Sequence, residues 1–374
     1  LLIQQVTDLT PTTAIILGGL FVGLYTVIGG IDAVIWTDVL QTVVLLLGGL
    51  LCLWVILDAL PGGLGQIFDQ AGKAGKFALA PWEDGAPGET SWSLSLSEKT
   101  ATMMLLIGLT NWLTEYSSNQ NTVQRYCASQ STAEARKGLW VYLFTALPIW
   151  AFYMFLGTAL WVFFQVYPDV QAGAILSGEA RAETLMPHFI TNYLPAGVAG
   201  LVIAAALAAA MSSLDSSINS VTTVSVVDLY RRHFHPGQND RHYLKVAWAI
   251  AVVVTGLMIA GALWLNQADT KTLQDTSTIL VSLLGGGMLG LYLLGFFSKR
   301  GDARAAWCGI ACTLVFTGWT ILTNKGMLPE ALSAPFDLYY TGLIGNLLMF
   351  VVGYLAASYW PADRPSALSA GAED

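Results

Sequence analysis

The sequence predicts an all-α protein, a polytopic bundle of membrane-spanning helices, and three features point to this class. Of its 374 residues 55% are apolar and only 11% are charged, with a mean hydropathy of +0.58, whereas soluble domains usually carry about 25% charged residues. Long apolar runs recur without the alternation of half-buried strands. Thirteen Trp, fourteen Tyr and thirty-seven Gly are typical of aromatic belts and close helix packing in membranes. The net charge of −8 argues against a nucleic-acid partner.

The apolar runs are long enough to cross a bilayer, for which a helix needs roughly 20 residues. Nine such runs are present, at residues 12–30, 33–57, 99–127, 138–167, 196–230, 243–265, 276–298, 304–323 and 339–360. Several exceed the minimum length, so we expect tilt or extension into water. Gly and Pro clusters such as "LPGGLG" and "HPGQND" fall mostly between the runs and mark the connections.

Lys and Arg are distributed unequally between alternate connections, which predicts the orientation. One set carries eleven of the seventeen basic residues and the other carries six over longer segments. We therefore expect a multi-pass plasma-membrane protein with residues 1–11 outside and the C-terminus in the cytoplasm. Residues 61–98 then form an external loop, with a short helix at "LGQIFDQA", and residues 361–374 form a disordered tail. Because the sequence opens with Leu just ahead of a spanning run, we interpret it as an N-terminally incomplete piece.

Three acids lie inside predicted spans, where an ionisable group is costly and marks an ion or substrate pathway. They are Asp38, Glu115 and Asp215. Asp215 shares one helical face with Ser212, Ser216 and Asn219, in a run without Lys or Arg. Oxygen ligands around one carboxylate suit a hard cation. The alternative is a packing face, because small hydroxyl residues commonly hold membrane helices together.

Glu115 lies in "LTNWLTEYSSNQNTVQRY", a stretch that is too polar for a helix facing lipid. Such a segment must face protein or water. It is also a candidate for local unwinding, as in the discontinuous helices of transporters. A second polar cluster, "RRHFHPGQNDRH", contains His233, His235 and His242, and we interpret it as a solvated cytoplasmic loop rather than a metal site.

Three collinear stretches resemble the sodium/solute symporter family. They are "LYTVIGGIDAVIWTDVLQ", "NQNTVQRYCASQSTAEARKG" and "AAAMSSLDSSINSVTTVSVVDLYRR". Ile31 is a minor departure, since Leu, Met or Phe is more usual after the glycine pair. The resemblance implies a leucine-transporter-type fold of two inverted five-helix repeats. It also implies that this chain lacks core helices 1 to 3, so that residues 1–298 are a partial core, residues 299–360 are two trailing helices and residues 361–374 are the tail.

The family's sodium sites carry over to named positions of this sequence. The resemblance implies a sodium site at the Ala209 carbonyl and the hydroxyls of Ser212 and Ser213, whose partners on core helix 1 are missing. It implies a second site at Asp38 and Ser216, bordered by Ser212. Asp215 is a departure, because family members with two sodium sites can have another Ser at this position. We therefore expect either a stronger second cation site, with sodium between the acids Asp38 and Asp215, or a pair of interacting acids that permits proton coupling.

The resemblance implies sodium-coupled symport of a small polar solute by alternating access, with sodium as the coupling ion. Substrate-binding candidates are Trp112, Glu115, Tyr116, Asn119 and Thr278, each of which has packing as its alternative. A Lys and a Gln of sugar-carrying members are absent near Ala146 and Thr278, which counts against a galactose-type site. Sugars of other kinds, sialic acid, vitamins and organic acids stay open. We expect a monomer in the lipid bilayer.

Two other classes are possible on the same features. An intramembrane aspartyl protease would use two buried acids but requires a GxGD motif, which neither "IWTDVL" nor "SSLDSS" supplies, so we do not expect an enzyme. A membrane sensor fused to a signalling domain would share the bundle, but the sequence carries no kinase motif after its last predicted helix.

Overall fold

The structure is a computed structural model of the chain. It describes residues 9–78, 82–83, 86–87, 89–98, 100–266, 281, 285–298, 302–324 and 326–359. Within this part the fold is helical, apart from a two-stranded antiparallel hairpin of β1 (Trp82–Glu83) and β2 (Ala86–Pro87). The helices divide between two units of dense internal contact. Unit 1 is Leu1–Lys76 with Gln124–Thr272, and unit 2 is Phe77–Val123 with Leu273–Asp374.

Unit 1 begins with a long helix that is bent in the middle. Helix α1 (Pro11–Ala59) is capped by the Thr10 hydroxyl, which accepts from the Thr13 amide, and Pro11 occupies the first turn, where its missing N–H costs nothing. Gly30 interrupts it with φ 61° and ψ −159°, a conformation that only glycine adopts readily. The two predicted runs 12–30 and 33–57 are thus the two halves of one kinked element.

The remaining helices of unit 1 complete a bundle and its connections. They are α2 (Gly63–Lys73), α4 (Gln120–Cys127, which begins in unit 2), α5 (Thr132–Val166), α6 (Val170–Leu176), α7 (Leu185–Tyr193), α8 (Ala196–Thr223) and α9 (Asp240–Asn266). Helix α8 continues as a π-helix over Val224–Phe234. The short helix predicted at "LGQIFDQA" is α2.

Two apolar clusters hold unit 1 together. One buries Ile56 of α1 against Phe163 of α5 and Phe189 of α7. The other joins Val22 of α1 to Ile218 of α8 and to α9. Burial of such side chains contributes roughly 1.5–3 kcal/mol each when the alternative is water. The second cluster lies where α1 and α8 run side by side, which places the acids of both helices close together.

The connection between α5 and α7 is organised by a single carboxylate. Asp169 accepts from the amides of Gln171 (2.7 Å) and Ala172 (3.1 Å) at the start of α6. Its second oxygen lies 2.8 Å from His188 Nε2 and accepts from the Tyr193 hydroxyl at 2.9 Å. The Ala172 amide foremost, with His188 and Tyr193, holds the pKa of the Asp169 carboxyl well below its usual range.

Unit 2 contains α3 (Ala101–Ser118), α10 (Met288–Phe297), α11 (Ala303–Asn324) and α12 (Thr341–Tyr359). Asn346 of α12 accepts from the amides of Gly287 (3.1 Å) and Gly290 (3.0 Å) through Oδ1 and donates from Nδ2 to the Gly342 carbonyl at 2.8 Å. The backbones of α10 and α12 meet here, because a Cβ added to Gly290 would lie 2.2 Å from the Asn346 carbonyl oxygen. One buried amide therefore caps the start of α10.

Seven helices in the described residues are long and apolar enough to cross a membrane. They are Pro11–Ile31, Val34–Ala59, Thr132–Val166, Ala196–Phe234, Asp240–Asn266, Ala303–Asn324 and Leu338–Tyr359. Large apolar side chains on several of them point outward, including Trp36 (77% exposed), Phe144 (71%) and Val315 (75%), as a lipid-facing surface requires.

The other two predicted spans have different outcomes. The run 99–127 is helix in two pieces, α3 and α4, which are separated at Asn119 with φ −77° and ψ 122°. The run 276–298 extends beyond the described residues, within which it contributes the short apolar helix Met288–Phe297. The predicted tail 361–374 lies outside the described residues. The predicted division at residue 298 stays a prediction.

Candidate functional site

Helices α1, α4 and α8 bring together polar side chains that lie far apart in the sequence. Helix α1 contributes Asp38, α4 contributes Arg125, and α8 contributes Ser212 and Ser216. Gln124 fixes α4 against α8, since its Nε2 donates to the Thr223 hydroxyl at 3.2 Å. We call Asp38, Arg125, Ser212 and Ser216 the Asp38 cluster.

Both oxygens of Asp38 are occupied within this cluster. Oδ1 accepts a short hydrogen bond from the Ser212 hydroxyl. Oδ2 lies 2.5 Å from Nη2 of Arg125, which also donates to the Ser216 hydroxyl at 3.0 Å. The carboxylate is largely buried, with 18% of its side chain exposed, while Arg125 is 42% exposed. A cationic group therefore lies between Asp38 and Ser216, the two residues expected to share a cation.

Asp215 forms a separate contact on the same pair of helices. Its side chain is fully buried at 0% exposure. Oδ2 accepts from the Tyr25 hydroxyl at 2.6 Å, whereas Oδ1 has no hydrogen-bond partner among the described residues. The expectation that sodium lies between Asp38 and Asp215 stays a prediction. In the structure the two acids have different partners: Asp38 forms an ion pair with Arg125, and Asp215 accepts a hydrogen bond from Tyr25.

The two remaining sodium candidates lie on the same helix as Ser212. Ala209 is partly buried on α8, and Ser213 is exposed. The Ser213 carbonyl accepts from the Ser217 hydroxyl at 2.8 Å, so one further oxygen of this turn is engaged within the helix. Their roles as sodium ligands stay predictions.

The substrate candidates of unit 2 surround the break between α3 and α4. Asn119 Nδ2 donates to Glu115 Oε2 at 2.6 Å, and the Thr122 hydroxyl donates to Glu115 Oε1 at 2.6 Å. Trp112 and Tyr116 stack with ring centroids 5.5 Å apart, and Trp112 is 38% exposed. Glu115 and Asn119 thus stabilise the backbone at the break, while the Trp112 ring is exposed and accessible to a ligand.

The fifth substrate candidate, Thr278, lies outside the described residues. The histidine cluster is described and is tied to aromatic neighbours: His242 Nε2 lies 3.0 Å from the Tyr230 hydroxyl, and the His235 carbonyl accepts from Tyr243 at 2.8 Å. Within the described part of the chain, no three His, Cys, Asp or Glu side chains are grouped so that they could hold a metal ion.

Comparison with known proteins identifies the group to which this architecture belongs. The sequence model of the Sodium:solute symporter family matches residues 1–312. The chain belongs to this family. Because it is a family of transporters, membership agrees with the expectation that the chain is not an enzyme.

The chain is similar to several curated members of the family. It is 30% identical over 359 residues to the sodium/sialic acid symporter SiaT of Proteus mirabilis, covering 96% of this chain and 67% of that protein. It is 28% identical over 352 residues to the sodium/sialic acid symporter NanT of Aliivibrio fischeri, covering 94% and 64%. The sodium/glucose cotransporter of Vibrio parahaemolyticus is 30% identical over 327 residues, covering 82% and 56%. The chain therefore spans between about half and two thirds of the length of these relatives.

A solved structure shares the fold. The substrate-bound, outward-open state of a sodium-coupled sialic acid symporter superposes with a TM-score of 0.80 at 28% identity, covering 97% of this chain and 70% of that chain. This similarity confirms the predicted all-helical transporter fold.

Sequence reasoning missed Arg125 and Tyr25. Arg125 was not singled out from the other basic residues, although it lies within one of the three stretches that resemble the family. Its position on the short helix that follows the polar break was the available signal. Tyr25 lies 190 residues before Asp215, and nothing in the sequence pattern links the two.

Proposed function

We propose that the protein is a secondary active transporter that couples sodium movement to the symport of a small polar solute by alternating access. Family membership supports transport as the activity. Among the contacts of the structure, the Asp38 cluster carries the proposal. The Asp38 carboxylate and the Ser216 hydroxyl, from neighbouring spans, meet at one cationic group, and the Ser212 hydroxyl donates to the same carboxylate. Oxygen donors of this kind suit a small hard cation.

In this proposal, sodium and the Arg125 guanidinium are alternative occupants of the same oxygens. When sodium binds Asp38, Ser212 and Ser216, Arg125 withdraws, and when sodium leaves, Arg125 neutralises Asp38. Ser213 and the Ala209 carbonyl, on the adjacent face of α8, supply a second sodium position. Sodium then biases the transporter between its conformations through its different affinity for each.

The membrane potential adds to the concentration gradient of sodium. Moving one elementary charge across the membrane is worth about 2.3 kcal/mol per 100 mV. Two sodium ions per solute would double this electrical contribution. The number of ions per solute is therefore measurable from the voltage dependence of uptake.

The solute is proposed to bind in unit 2, where Trp112 is the most exposed of the four candidates that the structure describes. An exposed indole ring next to Tyr116 offers a stacking surface to the apolar face of a sugar-like ring. Sialic acid is the first solute to test, because two of the relatives and the solved structure carry it in their names. Other sugars, vitamins and organic acids complete the panel.

The experiment is uptake of this labelled panel into proteoliposomes containing the full-length protein, with and without a sodium gradient. We expect one solute to accumulate only with sodium. Asp38→Asn should raise the half-saturating sodium concentration at least tenfold. Asp58→Asn, an exposed acid near the end of the same helix, is the matched control and should leave it unchanged. Sodium-independent uptake, or equal effects of both variants, would exclude the proposed site.

We further propose that the C-terminus is cytoplasmic, that residues 61–98 are external and that the protein is a monomer. The basic residues near the "RRHFHPGQNDRH" connection support this orientation. Cysteines introduced at Ser91 and at Pro236 should react with a membrane-impermeant reagent from opposite sides of the membrane. Light scattering of the purified protein in detergent measures the mass of the assembly.

A further inference from the structure

We propose that a cavity at the Gly30 kink binds the glycerol-ester part of an anionic phospholipid, while Arg241 and Lys245 bind the phosphate of its headgroup. The inference goes beyond the proposed function, because it assigns a lipid ligand that requires neither sodium nor a transported solute. Three features carry it: unpaired hydrogen-bond donors inside the cavity, basic side chains beside it, and a turn that fixes their positions.

The cavity lies within unit 1, between the kink of α1 and the helices α8 and α9. Its volume is about 260 Å³, far more than the roughly 30 Å³ of one water molecule and less than the ~300–1,000 Å³ of typical small-molecule sites. The residues that line it carry no formal charge. A cavity of this size suits one part of a larger molecule, whose charged group must then lie outside it.

Two buried hydrogen-bond donors line the cavity and have no partner. Thr222 is 8% exposed, and neither its hydroxyl nor the Asn219 Nδ2 group is hydrogen-bonded to any residue that the structure describes. Leaving a buried donor unpaired is costly, so a ligand with acceptor oxygens would be stabilised here. The ester carbonyls of a phospholipid are such acceptors. Leu244 and Trp248 of the cavity wall offer apolar contact to the first methylene groups of its acyl chains.

Two basic side chains lie next to the cavity on α9. Arg241, Leu244 and Trp248 follow the spacing i, i+3, i+7, so they share one face of the helix. Lys245 lies one turn after Arg241. Both cations are exposed, and within the described residues neither forms an ion pair, whether with Asp240 or with another acid. They can therefore bind a phosphate group at the edge of the cavity.

The turn before α9 is held in a fixed shape by Tyr243. Its hydroxyl donates to the His235 carbonyl at 2.8 Å and accepts from the Gln238 amide at 3.0 Å. The Arg231 guanidinium lies 5.2 Å from the centre of the Tyr243 ring, which places a third cation beside the start of α9. Residues 224–245 hold four Arg and Lys against two Asp, although the chain has a net charge of −8. A preformed cationic turn loses little conformational entropy when it binds an anion.

The position of the turn favours a lipid over a soluble anion. The turn joins Ala196–Phe234 and Asp240–Asn266, both long and apolar enough to cross a membrane, so it lies at the membrane surface. Phe234, 70% exposed at the end of the first of these helices, suits the interfacial region. In the proposed orientation this surface is cytoplasmic, where anionic lipids attract Lys and Arg next to membrane spans. Inorganic phosphate would meet the cations but would leave Asn219 and Thr222 unpaired.

Lipid binding to the purified full-length protein in detergent tests the headgroup contact. The protein is titrated with phosphatidylglycerol or with phosphatidylcholine of the same acyl chains, and bound lipid is counted by native mass spectrometry. We expect phosphatidylglycerol to bind about tenfold more tightly or better. One basic side chain near an anionic surface is worth about a fivefold change in affinity. Arg241→Gln combined with Lys245→Gln should therefore weaken phosphatidylglycerol binding about twenty-five-fold and leave phosphatidylcholine binding within about twofold.

The matched control is Arg136→Gln combined with Lys137→Gln, which removes the same charge from exposed positions near the start of α5. This control should change neither affinity by more than about twofold. Equal binding of the two lipids by the wild type would overturn the proposal, and so would equal losses in the two double variants.

The cavity is tested through the rise in melting temperature that phosphatidylglycerol produces. Thr222→Val replaces the hydroxyl by a methyl group and should reduce this rise. The melting temperature of the lipid-free protein should stay unchanged or increase, because the hydroxyl has no partner to lose. Ala247→Phe places a ring in the cavity and should abolish the rise, whereas Ala249→Phe, at an exposed position of α9, should preserve it.

Each contrary result has a definite meaning. If Thr222→Val and Ala247→Phe both leave the rise intact, the cavity holds only water and the lipid ester is excluded. If only the loss of Arg241 and Lys245 abolishes the rise, the headgroup binds at the surface alone, which also overturns the proposal. An equal rise with inorganic phosphate would identify a soluble anion as the ligand instead. Thr222→Val decides the question if Ala247→Phe fails to fold.

Discussion

Replacing Arg125 by Gln should strengthen sodium binding, although it removes a salt bridge. In the structure, Arg125 stabilises the sodium-free state by neutralising Asp38 at 2.5 Å and by donating to Ser216 at 3.0 Å. If the guanidinium must leave before sodium enters, the free energy of these contacts is subtracted from that of sodium binding. Deleting the guanidinium therefore removes a competitor.

The size of the effect follows from the exposure of the pair. Exposed ion pairs contribute about 0.2–1 kcal/mol, and hydrogen bonds to charged groups about 1.5–3 kcal/mol. Because Arg125 is 42% exposed while Asp38 is 18% exposed, solvent screening reduces the upper figure, and we take about 1–2 kcal/mol. This corresponds to a fall in the half-saturating sodium concentration of roughly fivefold to thirtyfold.

The assay is binding of radioactive sodium to the purified full-length protein, followed by sodium activation of uptake. Arg125→Lys keeps the positive charge but lacks the planar guanidinium, so its half-saturating sodium concentration should fall less. Arg136→Gln removes the same charge from an exposed position of α5 and should have no effect. If Arg125→Gln leaves the half-saturating sodium concentration unchanged or raises it, Arg125 does not compete with sodium. The proposal that Arg125 and sodium alternate in the cluster is then wrong.

Three further outcomes follow from the structure. Trp112→Ala should raise the KM for the solute in an uptake assay. Glu115→Gln should instead lower the melting temperature, because Glu115 stabilises the break between α3 and α4. If both variants changed KM equally, these separate roles for Trp112 and Glu115 would be wrong. Gly30→Ala should destabilise the protein by about 1–3 kcal/mol, since φ 61° with ψ −159° is nearly restricted to glycine, and unchanged thermal unfolding would contradict it. The Asp169 cap should be intact above pH ~4, where the carboxyl is ionised even in an unfolded chain, and should be lost as the pH falls through its lowered native pKa. Hydrogen exchange at the amides of Gln171 and Ala172 measures this, and Asp169→Asn should remove the pH dependence.

The helices could be predicted because their signal is local. Each apolar run is itself the signal for a span, so the spans followed from run length. That the runs 12–30 and 33–57 are one helix kinked at Gly30 was not predicted. The polar stretch around Glu115 predicted a discontinuity for the same reason, and α3 and α4 are separated at Asn119. Local patterns could not predict what Glu115 does there. Both of its carboxylate oxygens accept hydrogen bonds, from Asn119 and Thr122, across the break between α3 and α4.

The candidate site was only partly predictable, since its contacts join distant segments. Periodicity placed Ser212, Asp215 and Ser216 on one face of α8, and the resemblance matched them with Asp38. Neither could show that Arg125, 87 residues beyond Asp38, lies between the acid and Ser216. Tyr25 and Asp38 lie on opposite sides of the Gly30 kink in α1, and no local pattern places Tyr25 beside Asp215.

The Asn346 amide has a consequence for where this protein can be shortened. The last described helix, residues 341–359, could be taken from the sequence for a dispensable C-terminal element. Its Asn346 side chain, however, caps α10, which has no capping side chain of its own. A truncation placed before residue 338 would strip the acceptor from Gly287 and Gly290 and fray the first turn of α10. Fusion tags and reporter domains are therefore better joined after Tyr359 than in front of the last helix.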